Sequence, residues 1–207
     1  ATRLLPHLAG EPKVYDATIR FGTETDTEDH LGAVVREAPC PSRAAMLAAL
    51  PALTGSVVQV PPAYSAKRVS GQRAYDLARR GEEVTLAPVP IVVHRWEVRR
   101  LDEGPAGVTE ADVRITCGGG TYIRSLARDL ARSVGSAAHL TALRRVVSGP
   151  FRVEDALTLD ALAEGRATLR PALAAVPQHP VQILTSDEVA RIARGIDVEA
   201  TVAGPWA

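Results

Sequence analysis

The residues best suited to chemistry in this chain follow a glycine turn. Tyr122 and Arg124 come directly after the sequence GGGT at residues 118–121, where an amphipathic helix is predicted to begin. A cation in the first turn of a helix is unfavourable by a few tenths to about 1 kcal/mol, because the helix dipole is positive there. Arg124 is therefore predicted to have a carboxylate or phosphate partner, although an isolated arginine is more commonly a solvated residue without a role.

The glycine turn itself raises a nucleotide-binding hypothesis, since backbone N–H groups at the start of a helix bind phosphate. The turn lacks the lysine of a Walker loop, and its glycine spacing differs from that of a dinucleotide fingerprint. A tight turn is the better interpretation. A nucleotide-binding domain stays as a weaker alternative, which a lack of affinity for nucleotides would remove.

A second stretch, residues 59–81, combines basic and aromatic side chains after a pair of prolines. Its second half has helical character. Basic residues interleaved with aromatic ones suit phosphate contact and base stacking, so the stretch predicts an RNA-binding excursion. An ordinary solvated surface is the alternative. The residues concerned are Lys67, Arg68, Arg73, Tyr64 and Tyr75.

Other reactive side chains lack a spacing that would define a site. The acidic residues Asp26, Glu28 and Asp29 favour a solvated loop, because a metal site needs more oxygen ligands at defined spacing. The five histidines define no triad with a serine or a cysteine. Tyr15 lies on the apolar side of a predicted strand, where a core tyrosine is the default. No metal site is therefore predicted.

Periodicity predicts an α+β domain with a largely antiparallel sheet, because strands and helices mix without βαβ alternation. Arg144 and Arg145 are expected at a helix end, where positive charge is favourable, with RNA contact as the equal alternative. The predicted strands are 13–22, 91–101 and 111–117, and the predicted helices are 42–55, 72–80, 121–134, 138–147 and 158–163.

Composition limits the kind of protein this can be. The 207 residues carry 24 basic and 24 acidic side chains, which argues against a nonspecific polycation. Charge is nevertheless segregated, with an acidic bias over residues 11–37 and a basic bias over residues 117–145. The two cysteines are expected to be reduced thiols in a cytoplasmic protein. No apolar run approaches the roughly 20 residues of a membrane span, so no membrane is expected as a partner.

Both ends of the sequence are expected to be cuts through a longer protein. The chain starts with Ala-Thr-Arg rather than Met, and its last residues, Gly-Pro-Trp-Ala, mark no element boundary. Residues 171–180 contain Pro171, Pro177 and Pro180 and are predicted to be a linker. A new element is predicted to begin at Val181.

Four blocks together resemble the TruB family of bacterial tRNA pseudouridine synthases. They occur in the order and at the spacings of that family, from residue 1 to about residue 151. The PPAYSAKRVSG sequence favours the bacterial tRNA enzymes over the guide-RNA relatives, which share the GTYIR block. The blocks are KVY at 13–15, TDTED at 25–29 with Gly32, residues 59–81, and residues 117–151.

The resemblance implies a pseudouridine synthase fold, in which a mostly antiparallel mixed sheet is flanked by helices. It implies a partial catalytic domain over residues 1–170, with an RNA-binding thumb loop at 59–83. The linker 171–180 would then lead to the start of a small PUA-like domain at 181–207.

The resemblance also implies a reaction. Members of the family break the N1–C1′ bond of the T-loop uridine, rotate the base and rejoin it through C5. They need no metal or organic cofactor, and the base must leave its stack. The expected partner is the T-arm of tRNA, without an obligate protein partner. Tyr15 would stack on the base and assist proton removal from C5, Arg124 would pair with the catalytic carboxylate, and Asp29 would belong to the polar network around Arg124.

The remaining site residues implied by the resemblance contact the substrate. Leu143 would line the pocket, and the thumb loop would clamp the T-arm. The expected substrate-binding residues are Tyr122, Leu143, Tyr64, Lys67, Arg68, Arg73 and Arg144.

One departure from the family pattern is serious. The nucleophile of the family is an Asp in a Gly-Thr-Leu-Asp-Pro motif, which this chain does not contain, and Asp16, Asp26 and Asp29 match other positions. As printed, the chain is expected to lack activity, and truncation is the favoured explanation. The alternative is a noncatalytic protein that binds or folds tRNA. A smaller departure is Lys67-Arg68, where the family usually has an apolar residue followed by Lys.

Overall fold

Strand β1, Lys13–Phe21, is the centre of the sheet that carries the site. In the computed structural model of the protein, β1 pairs antiparallel with Gly107–Cys117 (β8) on one side and with Ala138–Ser148 (β9) on the other. The predicted alternation is confirmed, because Ala17, Ile19 and Phe21 are buried in the core. A strand paired on both edges has its backbone donors and acceptors satisfied by the ladder.

The structure describes residue 8 and residues 10–69, 71–82, 84–168, 171–177 and 179–202. These residues form two compact units, which divide between Ala156 and Leu157. The larger unit contains the sheet and the site, and the smaller contains residue 8 with the C-terminal elements. The predicted bounds 1–170, 171–180 and 181–207 stay predictions.

Six strands form the main sheet, in the order β10–β9–β1–β8–β7–β4, and every neighbouring pair is antiparallel. Two further strand pairs, β2–β3 and β5–β6, form separate ribbons. The other strands are β2 Thr23–Thr25, β3 Val34–Glu37, β4 Gly55–Gln59, β5 Arg68–Val69, β6 Gln72–Arg73, β7 Val89–Gly104 and β10 Phe151–Arg152.

The helices are short apart from the one that packs on the sheet. Among the described residues they are α1 Arg43–Ala49, α2 Ala74–Arg79, α3 Ile123–Ser133, α4 Leu159–Ala163 and α5 Ser186–Ala193, with 3-10 turns at Leu50–Leu53, Val153–Asp155 and Ala172–Ala175. No described helix combines the length and the apolar character required to cross a membrane.

Strands β7 and β8 are longer than predicted. The acidic segment between the two predicted strands continues both of them up to a two-residue turn between Gly104 and Gly107. Gly107 has a φ of +111°, and a Cβ there would lie 2.5 Å from the backbone oxygen of Pro41. Only glycine fits this approach without strain. The close turn therefore allows the strand pairing to continue beyond the predicted bounds.

The predicted helix at 138–147 is wrong, because this segment is strand β9. Leu140, Leu143 and Val147 match helical spacing, but the backbone pairs with β1 along most of its length. Tertiary pairing outweighs the weak local preference of so short a segment. Arg144 and Arg145 therefore lie within a strand rather than at a helix end.

Two predicted helices are confirmed with shifted bounds. Ser42 caps α1, accepting from Ala45 N at 3.2 Å, but the α-helix ends before Pro51, which cannot donate a backbone hydrogen bond. Helix α3 begins at Ile123 and buries Ile123, Leu126 and Leu130 against the sheet. Burial of this apolar face fixes the helix, because isolated helices of such length are marginal in water.

The smaller unit contains α4 and α5. Thr158 caps α4 as predicted, accepting from Ala161 N at 3.2 Å. Thr185 and Glu188 form a reciprocal capping box at the start of α5, with Glu188 N 3.3 Å from Thr185 Oγ1. The caps satisfy backbone donors that have no partner within the helix.

A buried ion pair joins α3 to the loop between β2 and β3. Arg128 of α3 donates to the carboxylate of Glu28, which also accepts from Ser125 Oγ at 2.8 Å. Glu28 has a φ of +61°, a conformation that costs a non-glycine residue about 1–3 kcal/mol and persists only where the surrounding contacts enforce it. The contacts with α3 and the bond from Leu140 N to the Glu28 carbonyl, 3.1 Å, hold that conformation.

Replacing Arg128 by Met should destabilise the protein. The change leaves Glu28 as an uncompensated buried carboxylate, which should lower the free energy of unfolding by about 3–5 kcal/mol. Burial raises the pKa of Glu28, and Arg128 opposes that shift. A buried carboxyl with a raised pKa lowers the free energy of unfolding of the protein as pH rises toward and through that pKa. The loss of stability in the variant, relative to the parent, should therefore grow between pH 5 and pH 8.

Urea unfolding followed by circular dichroism at the two pH values measures this effect. The matched control is Arg152→Met, because Arg152 pairs with Glu154 on an exposed surface and such pairs contribute little. Equal losses in the two variants, or a deficit independent of pH, would contradict the structural role given to the Glu28–Arg128 pair.

Candidate active site

An open cleft of about 510 Å³ lies where three segments of the larger unit meet. One wall is the loop between β2 and β3, another is the excursion after β4, and α3 contributes one arginine. Pockets of this size hold small-molecule ligands or parts of larger ones. The lining residues are Asp26, Thr27, Asp29, Leu31, Gly32, Ala33, Tyr64, Tyr75, Arg79 and Arg124.

Arg124 connects the three segments. Its Nη1 donates to the Thr27 carbonyl at 2.8 Å and to Asp29 Oδ2 at 3.1 Å, and its Nη2 donates to the Tyr64 carbonyl at 2.8 Å. A guanidinium has five N–H donors, so one on Nε and one on Nη2 have no acceptor among the residues that the structure describes. Arg124 is thus fixed in place and still able to bind an anion.

Asp29 is held by its own loop as well as by Arg124. Its Oδ1 accepts from Thr27 Oγ1 at 2.8 Å and from the backbone N of Leu31 at 3.1 Å. Gly32 closes the loop, where a Cβ would lie 2.8 Å from the backbone N of Thr27. With both carboxylate oxygens engaged, Asp29 is fixed in place and orients Arg124.

The residue that fixes the start of α3, Gln59, was not among the predicted site residues. The carboxamide of Gln59 accepts from Tyr122 N at 2.9 Å and donates to the Tyr122 carbonyl at 3.1 Å. Gln59 is almost completely buried. The two bonds fix the start of the helix and therefore the direction of Arg124. No local pattern identifies such a cap, because its partner is distant in sequence.

The excursion contributes an aromatic wall. The rings of Tyr64 and Tyr75 meet edge to face, with centroids 6.0 Å apart, and the guanidinium carbon of Arg79 lies 5.6 Å from the Tyr75 centroid. Edge-to-face pairs and cation–π contacts of this kind are mutually attractive. The excursion is therefore ordered next to the cleft and not only a solvated surface.

The predicted basic residues of the excursion are exposed. Arg68 and Arg73 face each other in the β5–β6 register and line a shallow cavity of about 540 Å³ with Arg79 and Arg80. Lys67 lies next to Arg68 and is exposed. Of these arginines, only Arg80 forms an ion pair among the described residues, with Glu82 at 2.6 Å. The others present free positive charge.

The other predicted residues lie away from the cleft lining. Tyr15 packs, partly buried, against the core. Leu143 and Arg144 line a different cavity of about 360 Å³ with Asp16 and Arg99. The structure therefore brings Arg124, Asp29 and Tyr64 together at the cleft. The catalytic and substrate-binding roles of these three residues stay predictions, as do those of Tyr15, Leu143, Arg144 and the half-buried Tyr122.

Thiol and metal chemistry find little support in the described residues. Burial raises the pKa of the Cys117 thiol, which keeps it protonated and a poor nucleophile. No group of three or more His, Cys, Asp or Glu side chains in the described ranges is arranged to hold a metal ion. The cleft is instead organised around guanidinium, carboxylate and aromatic groups.

Two family models match the sequence in succession. A model described as TruB family pseudouridylate synthase (N terminal domain) matches residues 1–123. A model described as tRNA pseudouridylate synthase B C-terminal domain matches residues 124–176.

Curated relatives match over nearly the whole chain. A protein named tRNA pseudouridine synthase B from Thermobifida fusca (strain YX) is 46% identical over 200 residues, which are 94% of this chain and 68% of that protein. One of the same name from Arthrobacter sp. (strain FB24) is 44% identical over 97% of this chain and 66% of its own length. The chain thus spans about two thirds of the length of these relatives.

Solved structures share the fold. A structure described as a Cbf5-Nop10-Gar1 complex matches with a TM-score of 0.63 and 22% identity, over 95% of this chain and 53% of that chain. An H/ACA RNP bound to a substrate RNA containing 2'-deoxyuridine matches with a TM-score of 0.61 and 20% identity, over 96% of this chain and 52% of the other. The predicted α+β pseudouridine synthase fold with a mostly antiparallel sheet is confirmed. Matches to both family models and relatives at 44% and 46% identity show that the chain belongs to the TruB family of pseudouridylate synthases.

Proposed function

We propose that the full-length protein isomerises the T-loop uridine of tRNA to pseudouridine in the cytoplasm. The observation that carries the proposal is Arg124, which three acceptors fix in an open cleft while two of its N–H groups remain without an acceptor among the described residues. Such a fixed, partly unpaired guanidinium suits a catalytic carboxylate or the flipped nucleotide. Family membership supplies the reaction class.

The proposed chemistry divides the work among a few groups. The nucleophilic aspartate used by the family would attack the target nucleotide and allow the N1–C1′ bond to break, and Arg124 would hold that carboxylate. Tyr15 would stack on the base and assist removal of the C5 proton once the base has been rejoined through C5. Asp29 would keep Arg124 oriented, with both of its carboxylate oxygens already engaged.

The remaining proposed contacts are with the RNA. Exposed guanidinium groups on the excursion would bind phosphates of the T-arm, which accounts for most of the affinity of such complexes at low salt. Leu143 would line the base pocket, and Tyr122 and Arg144 would contact the substrate. The excursion residues proposed to grip RNA are Tyr64, Lys67, Arg68 and Arg73.

The direct test uses full-length protein and an unmodified tRNA transcript. Pseudouridine should form at the T-loop uridine and at no other position of the transcript. A transcript with cytidine at that position is the matched control and should stay unchanged. Full-length protein that binds the tRNA without forming pseudouridine would overturn the proposal and favour a noncatalytic tRNA-binding protein.

Replacing Arg124 by Ala should affect chemistry far more than binding. The change removes charge-assisted hydrogen bonds at the proposed reacting carboxylate, so single-turnover isomerisation should slow by about 100- to 1,000-fold. Affinity for tRNA should change only a few-fold. Arg124→Lys keeps the charge but cannot reach Thr27, Asp29 and Tyr64 together, so it should slow the reaction to a similar degree. A loss of affinity without a slower reaction would show that Arg124 serves binding only.

Replacing Arg73 by Ala should have the opposite signature. When the protein is saturating, the rate of isomerisation should be unchanged. The affinity for tRNA should fall, and the slope of the logarithm of the binding constant against the logarithm of salt concentration should become shallower by about one. Arg152→Ala is the matched control, because that exposed arginine is already paired with Glu154. Filter binding at several salt concentrations measures both variants. An unchanged slope for Arg73→Ala would remove this residue from the phosphate contacts.

A further inference from the structure

Tyr75 and Arg79 form a feature that the proposed reaction does not use. They lie four residues apart on α2, so their side chains share one face of the helix. Both line the cleft that contains Arg124 and Asp29. The Tyr75 ring remains 42% exposed, although the residue before it, Ala74, is completely buried.

Core packing does not explain this tyrosine. The buried residue of α2 is Ala74, and Tyr75 does not belong to the hydrophobic core of the described chain. Its ring instead meets the Tyr64 ring edge to face, with the centroids 6.0 Å apart. The guanidinium carbon of Arg79 lies 5.6 Å from the Tyr75 centroid. The side chain is therefore held at the surface of a cleft and not within an apolar interior.

Helix electrostatics explains the charge of Arg79 but not its position. A cation in the last turn of a helix is favourable. The neighbouring Arg80 has partners, Glu82 Oε1 at 2.6 Å and Gln72 Oε1 at 2.8 Å. Arg79 has no carboxylate partner among the described residues and lies over an aromatic ring at the cleft. Its charge remains available to a ligand.

Two hydrogen bonds set the position of Tyr75 relative to Arg124. Arg124 Nη2 donates to the Tyr64 carbonyl at 2.8 Å, and Tyr75 N donates to the carbonyl of the next residue, Ser65, at 3.1 Å. The ring contact between Tyr64 and Tyr75 adds a third link. The aromatic surface is therefore fixed within the same cleft as Arg124.

We propose that Tyr75 and Arg79 form a second nucleotide subsite, which stacks the unpaired base next to the target uridine. Unstacked bases of RNA loops bind to aromatic faces and to guanidinium planes, and a free guanidinium also binds the adjoining phosphate. The cleft of about 510 Å³ has room for more than one pyrimidine ring. This inference rests on the proposed function, because the neighbouring base is defined by the uridine that reacts.

A cycle of protein and RNA changes tests the subsite. The RNAs are a T-arm hairpin and two versions with an abasic nucleotide immediately 5′ or 3′ of the target uridine. Tyr75→Ala in the full-length protein should weaken binding of the intact hairpin by about 5- to 100-fold. For one of the two abasic hairpins, the same change should have almost no effect, because the base that Tyr75 stacks on is absent.

Matched variants separate stacking from other effects. Tyr75→Phe keeps the ring and should bind like the parent, whereas Tyr75→Leu keeps apolar bulk and should lose affinity like Tyr75→Ala. Arg79→Lys keeps the charge without the plane and should lose part of the affinity. The thermal unfolding midpoint of each Tyr75 variant should match the parent, since the ring is half exposed.

Equal weakening of all three hairpins by Tyr75→Ala, in a variant that unfolds like the parent, would overturn the subsite. Parent-like binding by Tyr75→Leu would also overturn it. Failure of the proposed function has a different signature, because the parent protein would then leave the intact hairpin unmodified. The two failures are therefore distinguishable in one set of measurements.

Discussion

The buried contact between Arg128 and Glu28 is the constraint on which the cleft depends. It joins the sheet-packed helix α3 to a loop whose backbone at Glu28 has a φ of +61°. Removing Arg128 would leave the Glu28 carboxylate buried without its ion-pair partner, which is more costly than the pair itself. Arg128 also pairs with Asp129 at 2.8 Å, so Glu28 is the member of the pair that depends on the contact more. The loop that presents Asp29 is therefore held to α3 by a contact whose loss would disturb both segments.

Arg124 lies one turn before Arg128 on the same face of α3 and depends on the same loop. Its acceptors come from the β2–β3 loop and from the excursion after β4, and Gln59 fixes the backbone of the residue two positions before it. An arginine at the positive end of a helix is electrostatically disfavoured. Asp29 and two backbone carbonyls offset that disadvantage by accepting hydrogen bonds from Arg124. The guanidinium is therefore held at a helix start where it would be unfavourable in an isolated helix.

Elements with strong local signals could be predicted from the sequence. Strand β1 alternates clearly and α3 has an apolar face at helical spacing, so both were identified. Strand β9 was not, because Leu140, Leu143 and Val147 have helical spacing and only the pairing with β1 makes the segment a strand. Gln59 and the Glu28–Arg128 pair escaped for a related reason, since the partners are 63 and 100 residues apart.

Among the candidate site residues, too, those with a signal in the sequence could be predicted and those set by distant contacts could not. The family resemblance and the charge of Arg124 pointed to Arg124 and Asp29, and the structure brings them within 3.1 Å. The pairing of Tyr75 with Arg79 needed the fold of α2 and the path of the excursion. Position along the chain alone could not show that this ring and guanidinium line the same cleft as Arg124.

The way in which the excursion leaves the sheet has a consequence for its tolerance of changes in length. Gln59 and Val89 are direct partners in the antiparallel β4–β7 pair, so the 29 residues between them form an insertion whose two ends are already adjacent. Lengthening a loop between fixed ends adds little entropic cost, since the cost grows only with the logarithm of its length. The tip of the excursion beyond Ser65 can therefore change in length without changing the strand register or the position of the arginine at the start of α3.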